Sequence, residues 1–183
     1  MPYPLLMSVA CAALMVAVPL PAHAVPDAQF DPALQVFLRA SQGEALAIAQ
    51  AVESFATLLK VEPGNPVLLA YSGAVVAMQA KTTMLPWRKM AHAEDGLAQL
   101  DKALALLGPA HNTVGQNQVP AVLDVKLVAA NTFLALPRMM NRRDRGLKLL
   151  AEVNSSPLLV SAPAPFRETV VKAVRKAGLE AAK

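Results

Sequence analysis

The chain is poor in the side chains that carry chemistry. It has one cysteine, Cys11, among 183 residues, and aromatic residues make up only 4% of it. A single cysteine excludes an internal disulfide. Its place in an apolar N-terminal run means that removing that run leaves no thiol nucleophile and no thiolate metal ligand. Of three histidines, only His92 and His111 lie beyond that segment. Neither has a second histidine four residues on, whereas a zinc site draws on three or four N, S or O ligands. There is no G-x-S-x-G, no phosphate-binding loop and no H-E-x-x-H. Carboxylate pairs such as Glu94-Asp95 read as helix surface beside lysines. These absences point away from an enzyme and from any metal or organic cofactor. Arginine clusters without interleaved aromatics are a poor surface for base stacking, so nucleic acid is not an expected partner.

The N-terminal segment "MPYPLLMSVACAALMVAVPLPAHA" carries an apolar run over residues 5–18, shorter than the roughly 20 residues a membrane span needs. Pro19 and Pro21 follow, then Ala22-His23-Ala24, a small-x-small cleavage site. Ser8 stands where a lipid-attachment motif wants an aliphatic residue. Residues 1–24 therefore read as a signal peptide, although no Lys or Arg precedes the apolar run. Residues 25–183 read as a single domain of an exported protein, periplasmic or extracellular.

Charge is unevenly spread. Residues 1–80 hold two cations against five acids, and residues 81–183 hold fifteen against eight. A basic C-terminal half facing acidic peptide, anionic polymer or an anionic membrane is the reading this asymmetry suggests.

The remainder reads as helix, rich in Ala and Leu and without alternating strand-like runs. A first helix is expected to open at Asp31-Pro32 and a second at the capping box Ser41-Gln-Gly-Glu44, with Leu46, Ala49, Val52, Phe55, Ala56 and Leu59 on its apolar face. Pro63-Gly64 stops it, and Asn65-Pro66 starts the next. That helix, expected over 66–83, is apolar almost all round across 67–78 and so belongs at the centre of the core. Gly73 inside it calls for close approach by a neighbouring helix. Further helices are expected over 90–107, 120–136, 141–153 and 165–182. The last has Phe166, Val170, Val174 and Ala177 on one face.

Two blocks are copies. "LPWRKMAHAEDGLAQLDKAL" (85–104) aligns with "LPRMMNRRDRGLKLLAEV" (136–153) through Leu-Pro, Asp95 with Asp144, Gly96-Leu97 with Gly146-Leu147, and Leu100 with Leu150. A period near 50 residues signals a helical repeat array. "NPVLLAYSGAVVAMQA" resembles the first helix of a tetratricopeptide (TPR) repeat, with Tyr71 and Gly73 in place. "EDGLAQLDKALALLGP" resembles the second, through Gly96, Leu100, Ala103 and Pro109. About a dozen residues, 81–92, stand where a TPR has a short turn. The longer pattern resembles a group of secreted bacterial TPR-like proteins to which no activity is assigned. The resemblance covers roughly residues 45–153. It implies an all-α fold, a short TPR-like helical repeat array (an α-solenoid) with a C-terminal capping helix. It also implies a non-catalytic adaptor or scaffold that binds a protein or peptide.

Two stretches are candidates for partner binding. In "LPWRKMAH" (85–92), Leu85 and Trp87 read first as residues tucked into the core at a proline-broken joint, with Arg88 and Lys89 turned outward. If the stretch is a site, Trp87 is its apolar anchor. Arg138, Arg142, Arg143 and Arg145, followed by Lys148 and opposed in sequence by Asp144 alone, form the densest charge. They read as a solvated helix face or as an acceptor for an acidic partner. The last helix reads as a polar-backed cap or as a surface lying on an anionic membrane.

Overall fold

The computed structural model describes residues 25–179, and every regular element among them is helical. The signal-peptide reading of residues 1–24, Cys11 included, falls outside the described residues. Seven α-helices follow one another: α1 Asp27–Ser41, α2 Ala45–Val61, α3 Pro66–Gln79, α4 Pro86–Ala105, α5 Ala121–Ala135, α6 Arg143–Asn154 and α7 Ala164–Ala177. No helix among the described residues is long and apolar enough to cross a membrane.

The sequence around α3 dictates both its start and its place. Asn65 caps it, its Oδ1 accepting the N–H groups of Val67 at 2.9 Å and Leu68 at 3.3 Å. Pro66 at the first helical position has no N–H to leave unpaired. The helix carries no charge, and residues 66–75 and Ala77 are buried. A helix apolar on every side needs neighbours on every side. It packs against α1, α2, α4 and α5.

Gly73 sits where expected, at a close crossing. A Cβ there would stand 2.7 Å from the Gly96 carbonyl oxygen, and one on Gly96 would stand 2.5 Å from the Gly73 carbonyl oxygen and 2.6 Å from the Ala77 nitrogen. The backbones of α3 and α4 therefore touch without side chains between them. Beside this crossing, Phe30 and Phe37 of α1 and Phe55 of α2 gather round Tyr71 of α3. Tyr71 stacks on Phe55 at 5.3 Å and meets Phe37 edge-on at 4.8 Å. Such ring pairs each contribute about 0.5–1.5 kcal/mol beyond their buried area.

Several expectations need correction. α1 opens at Asp27, not Asp31, and carries Pro32 in its second turn. Ser41 does not cap α2. It ends α1, with its hydroxyl donating to the Leu38 carbonyl at 2.7 Å, and Gly43 at φ 97° turns the chain before α2 begins. On α2, Phe55 is buried and Val52 and Leu59 pack against the core as expected, but the rest of the buried face is Ala47, Ile48, Ala51 and Leu58, while Leu46 is 76% exposed. An Ala/Leu-rich helix offers more than one apolar stripe through Phe55, and the packing of α1 and α3 against it selects this one. α3 stops at Gln79 rather than 83, and α4 starts at Pro86 rather than 90. The interruption between them is a short turn, not a dozen residues.

Beyond α4, the link folds into two 3-10 turns, Pro109–Asn112 and Gln116–Gln118, pinned by a bridge between Val114 and Pro120. α5 repeats the logic of α3. Most of its residues from 121 to 130 are buried, and it packs on α3, α4, α6 and α7. α7 lays the expected stripe of Phe166, Val170, Val174 and Ala177 against the core and ends at Gly178, φ 73°.

Candidate binding surfaces

Trp87 is not tucked away. It is 67% exposed, with Met84 88%, Leu85 38% and Met90 37% exposed around it. The reason is a mismatch of helix lengths about the Gly73–Gly96 crossing. Ten residues of α4 precede Gly96, but only six of α3 follow Gly73. At 1.5 Å per residue, α4 therefore overhangs the end of α3 by roughly one turn. The first turn of α4 has no helix beneath it, so its apolar side chains meet solvent. Arg88 and Lys89 are exposed beside them, with Lys81 just before. No acid occurs from residue 81 to 93.

The arginine run is divided. Arg142 forks onto Asp101 of α4, with Nη2 at 3.1 Å from Oδ2 and Nη1 at 3.4 Å from Oδ1. Arg145 also donates to Asp101. Both guanidinium groups stand over the Phe133 ring of α5, at 5.7 and 5.3 Å. The opposing acid is thus Asp101, far away in sequence, and not Asp144 alone. These two arginines tie α4 to α6 across α5. Arg138, Arg143 and Lys148 are exposed and have no ion pair among the described residues. The tryptophan corner and the arginine tie are not one site, because fourteen helical residues from Trp87 to Asp101 place them roughly 20 Å apart along α4.

Two clefts among the described residues adjoin these helices. One of about 380 Å³ lies between α4, α5 and α6, lined by Leu104, Leu107, Val122 and Leu149, with Lys126 and Arg145 at its edge. Both cations are already paired, Lys126 with Glu152 at 2.8 Å. The other, about 360 Å³, lies where α3 and α5 begin and includes Glu62, Asn65, His111 and Gln116.

A buried pair escaped the reading of the sequence. The Tyr71 hydroxyl donates to Asp124 Oδ1 at 2.9 Å, joining α3 to α5 across 53 residues of chain. Burial raises the Asp124 carboxyl to about 6, against a smaller lowering by the tyrosine bond. Burial also raises Tyr71, reinforced by the charge of Asp124. Perturbed acids often mark active sites, but neither residue lines either cleft. The available signal was Asp124 itself, an acid in a helix otherwise apolar enough to be buried, which must find a partner.

No family model matches the chain, and neither a curated protein nor a solved structure matches it.

Proposed function

We propose that the chain is a non-catalytic binding module of the exported envelope, a short TPR-like helical array closed by α7, that takes a protein or peptide partner. The observation that carries this reading is the overhanging first turn of α4. Met84, Leu85, Trp87 and Met90 are all exposed on adjacent residues of one corner. Tryptophan and arginine are the residue types enriched at the energetic centres of interfaces, and Trp87 and Arg88 stand side by side. With Lys81 and Lys89 flanking them, the corner suits a partner with an apolar side chain set among acids. Arg138 and Arg143 remain candidates for a second contact. Arg142 and Arg145 are better explained as the tie to Asp101.

A photo-crosslinker placed at position 87 tests the proposal in an envelope extract. We expect one dominant protein adduct that is lost on Arg88→Glu with Lys89→Glu at unchanged helical signal. The alternative, a peripheral envelope protein held by its basic half, gains from the same corner, since tryptophan beside cations also suits a membrane interface. Flotation with anionic vesicles separates the two. Trp87-dependent flotation without a protein adduct would establish the alternative.

A further inference from the structure

The chain's one cysteine, Cys11, lies in residues 1–24, so residues 25–183 offer an oxidant no thiol and five thioethers, Met78, Met84, Met90, Met139 and Met140. Their surroundings sort them. Met78 and Met140 are partly buried against the core. Met90 is 37% exposed, Met139 78% and Met84 88%. Met84 and Met90 flank Trp87 at the overhanging start of α4, whereas Met139 lies in the turn between α5 and α6. Hydrogen bonds hold the turn that carries Met84. Thr83 Oγ1 accepts the Leu85 N–H at 3.3 Å, bridging over Met84. The Thr82 N–H and hydroxyl both go to the Gln79 carbonyl, at 3.0 and 2.9 Å. Pro86 keeps Leu85 extended, at φ −81° and ψ 116°. The turn is thus fixed on both sides of Met84, and its thioether stands in water.

A thioether is apolar and adaptable, which suits it to a binding surface. It is also readily oxidised, and its sulfoxide is polar. We propose that Met84 is an oxidation site that switches the tryptophan corner, with hydrogen peroxide as the oxidant. The proposal rests on the reading of that corner as the place where a partner docks. The sulfur attacks one peroxide oxygen, and the O–O bond breaks as the S–O bond forms. The departing hydroxide removes the proton from the new S–OH group. The products are methionine sulfoxide and water, with the sulfur oxidised by two electrons and the peroxide reduced by two. When a partner's apolar side chain docks beside Leu85, Trp87 and Met90, the sulfoxide loses its water, and a polar group buried without a bond opposes that docking. The fold is not at stake, because Met84 takes no part in the core. A thiol-dependent methionine sulfoxide reductase returns the thioether, so the change is reversible.

The full chain carrying the photo-crosslinker at position 87 supplies the test, since it has no tryptophan to be oxidised instead. It is treated with hydrogen peroxide at a dose at which peptide mass mapping finds Met84 oxidised and Met90 still a thioether. The peroxide is removed and the chain is crosslinked in the envelope extract. We expect Met84 and Met139 to gain an oxygen well before Met78 and Met140, at unchanged helical signal and denaturation midpoint. The protein adduct should fall at least about fivefold and return after treatment with the reductase. Met84→Leu should keep its adduct through the same treatment, whereas Met139→Leu should lose it as the parent chain does. An adduct that survives oxidation of Met84, or that Met84→Leu loses equally, overturns the switch and leaves the corner's binding role standing. Oxidation of Met84 no faster than that of Met78 also overturns it. A chain that gives no adduct before peroxide is added overturns the reading of the corner itself, and the switch with it.

Discussion

The hairpins α3–α4 and α5–α6 begin from matching residues and end in different surfaces. Each opens behind a proline, Pro66 or Pro120, runs as an apolar helix, turns at Leu-Pro, and brings a glycine of the second helix, Gly96 or Gly146, against the first. In α3–α4 the turn proline is itself the first residue of a twenty-residue helix. In α5–α6, Pro137 leads into a 3-10 turn and Asn141 takes a left-handed φ of 51°, so that α6 begins only at Arg143 and has twelve residues. The longer second helix overhangs and displays Trp87. The shorter one folds its cations back onto Asp101 and Phe133. The shared glycines set how the helices cross, and the unshared turn residues set what each hairpin presents.

The largest expected effect separates the two crossings. A methyl added at Gly96 meets backbone atoms of α3 at 2.5 and 2.6 Å, whereas at Gly146 it meets Leu134 Cγ at 3.0 Å, Phe133 Cβ at 3.1 Å and the Ala130 carbonyl oxygen at 3.2 Å, contacts that a small shift relieves. Gly96→Ala, and more so Gly73→Leu, should cost about 3 kcal/mol, although each gains about 1 kcal/mol in helix propensity. Gly146→Ala should stay within about 1 kcal/mol of wild type, because the same gain offsets a softer clash. Equal denaturation midpoints for Gly96→Ala and Gly146→Ala would show that the two crossings are alike after all.

The tie between the hairpins comes next. Unfolded, Asp124 titrates near 3.8, and in the fold it keeps its proton up to about 6. Between those values the folded state binds more protons, so stability should fall as pH rises from about 4 to about 6 and stay lower above that. The loss is up to about 3 kcal/mol, taking 1.36 kcal/mol per unit. Asp124→Asn keeps an oxygen to accept from Tyr71 and has no charge to bury. Its midpoint should be flat over the same window and above wild type at pH 7.5. Urea titrations of both chains at pH 4.5 and 7.5 decide the matter, and a wild type more stable at the higher pH would show that Asp124 folds as the ionised form.

These examples mark how far the sequence could be read. The Asn65 cap, the buried α3 and the close approach at Gly73 were legible because each depends on neighbours in the chain or on helical period. The face of α2 was legible only in part, since its composition permits several stripes through Phe55 and the packing of α1 and α3 chooses among them. The place of Trp87 depended on the relative lengths of two helices, and a start placed at 90 instead of Pro86 was enough to reverse it. The partners Tyr71 with Asp124, and Arg142 and Arg145 with Asp101, lie 53, 41 and 44 residues apart, separations at which local pattern carries no information.

A smaller effect is expected at Asp101. Its side chain is 34% exposed, and those of Arg142 and Arg145 are 29% and 42% exposed, so water and salt screen the tie. Asp101→Asn should cost about 1 kcal/mol, the upper end for exposed pairs, because one arginine is held by both arms. The cost should shrink in high salt as the wild-type pairs are screened. The matching change in the first hairpin, Arg88→Gln with Lys89→Gln, should leave stability unchanged at any salt. A salt-independent loss on Asp101→Asn would mean that packing of the arginines on Phe133, and not charge, holds α6 in place.

The smallest expected effect on stability belongs to the most unusual residue of the first hairpin. Trp87 is the chain's single tryptophan, and a buried tryptophan commonly costs 3–5 kcal/mol to truncate. At 67% exposed, on a turn with no helix beneath it, Trp87→Ser should move the denaturation midpoint by less than about 0.5 kcal/mol. The native chain's fluorescence should already resemble that of tryptophan in water and shift little on unfolding. If partner capture is lost in the same variant, the residue serves recognition and not folding, which is the division of labour that the two hairpins imply. A loss of several kcal/mol would place Trp87 against the core in solution, and the overhang of α4 could then no longer be the corner that a partner meets.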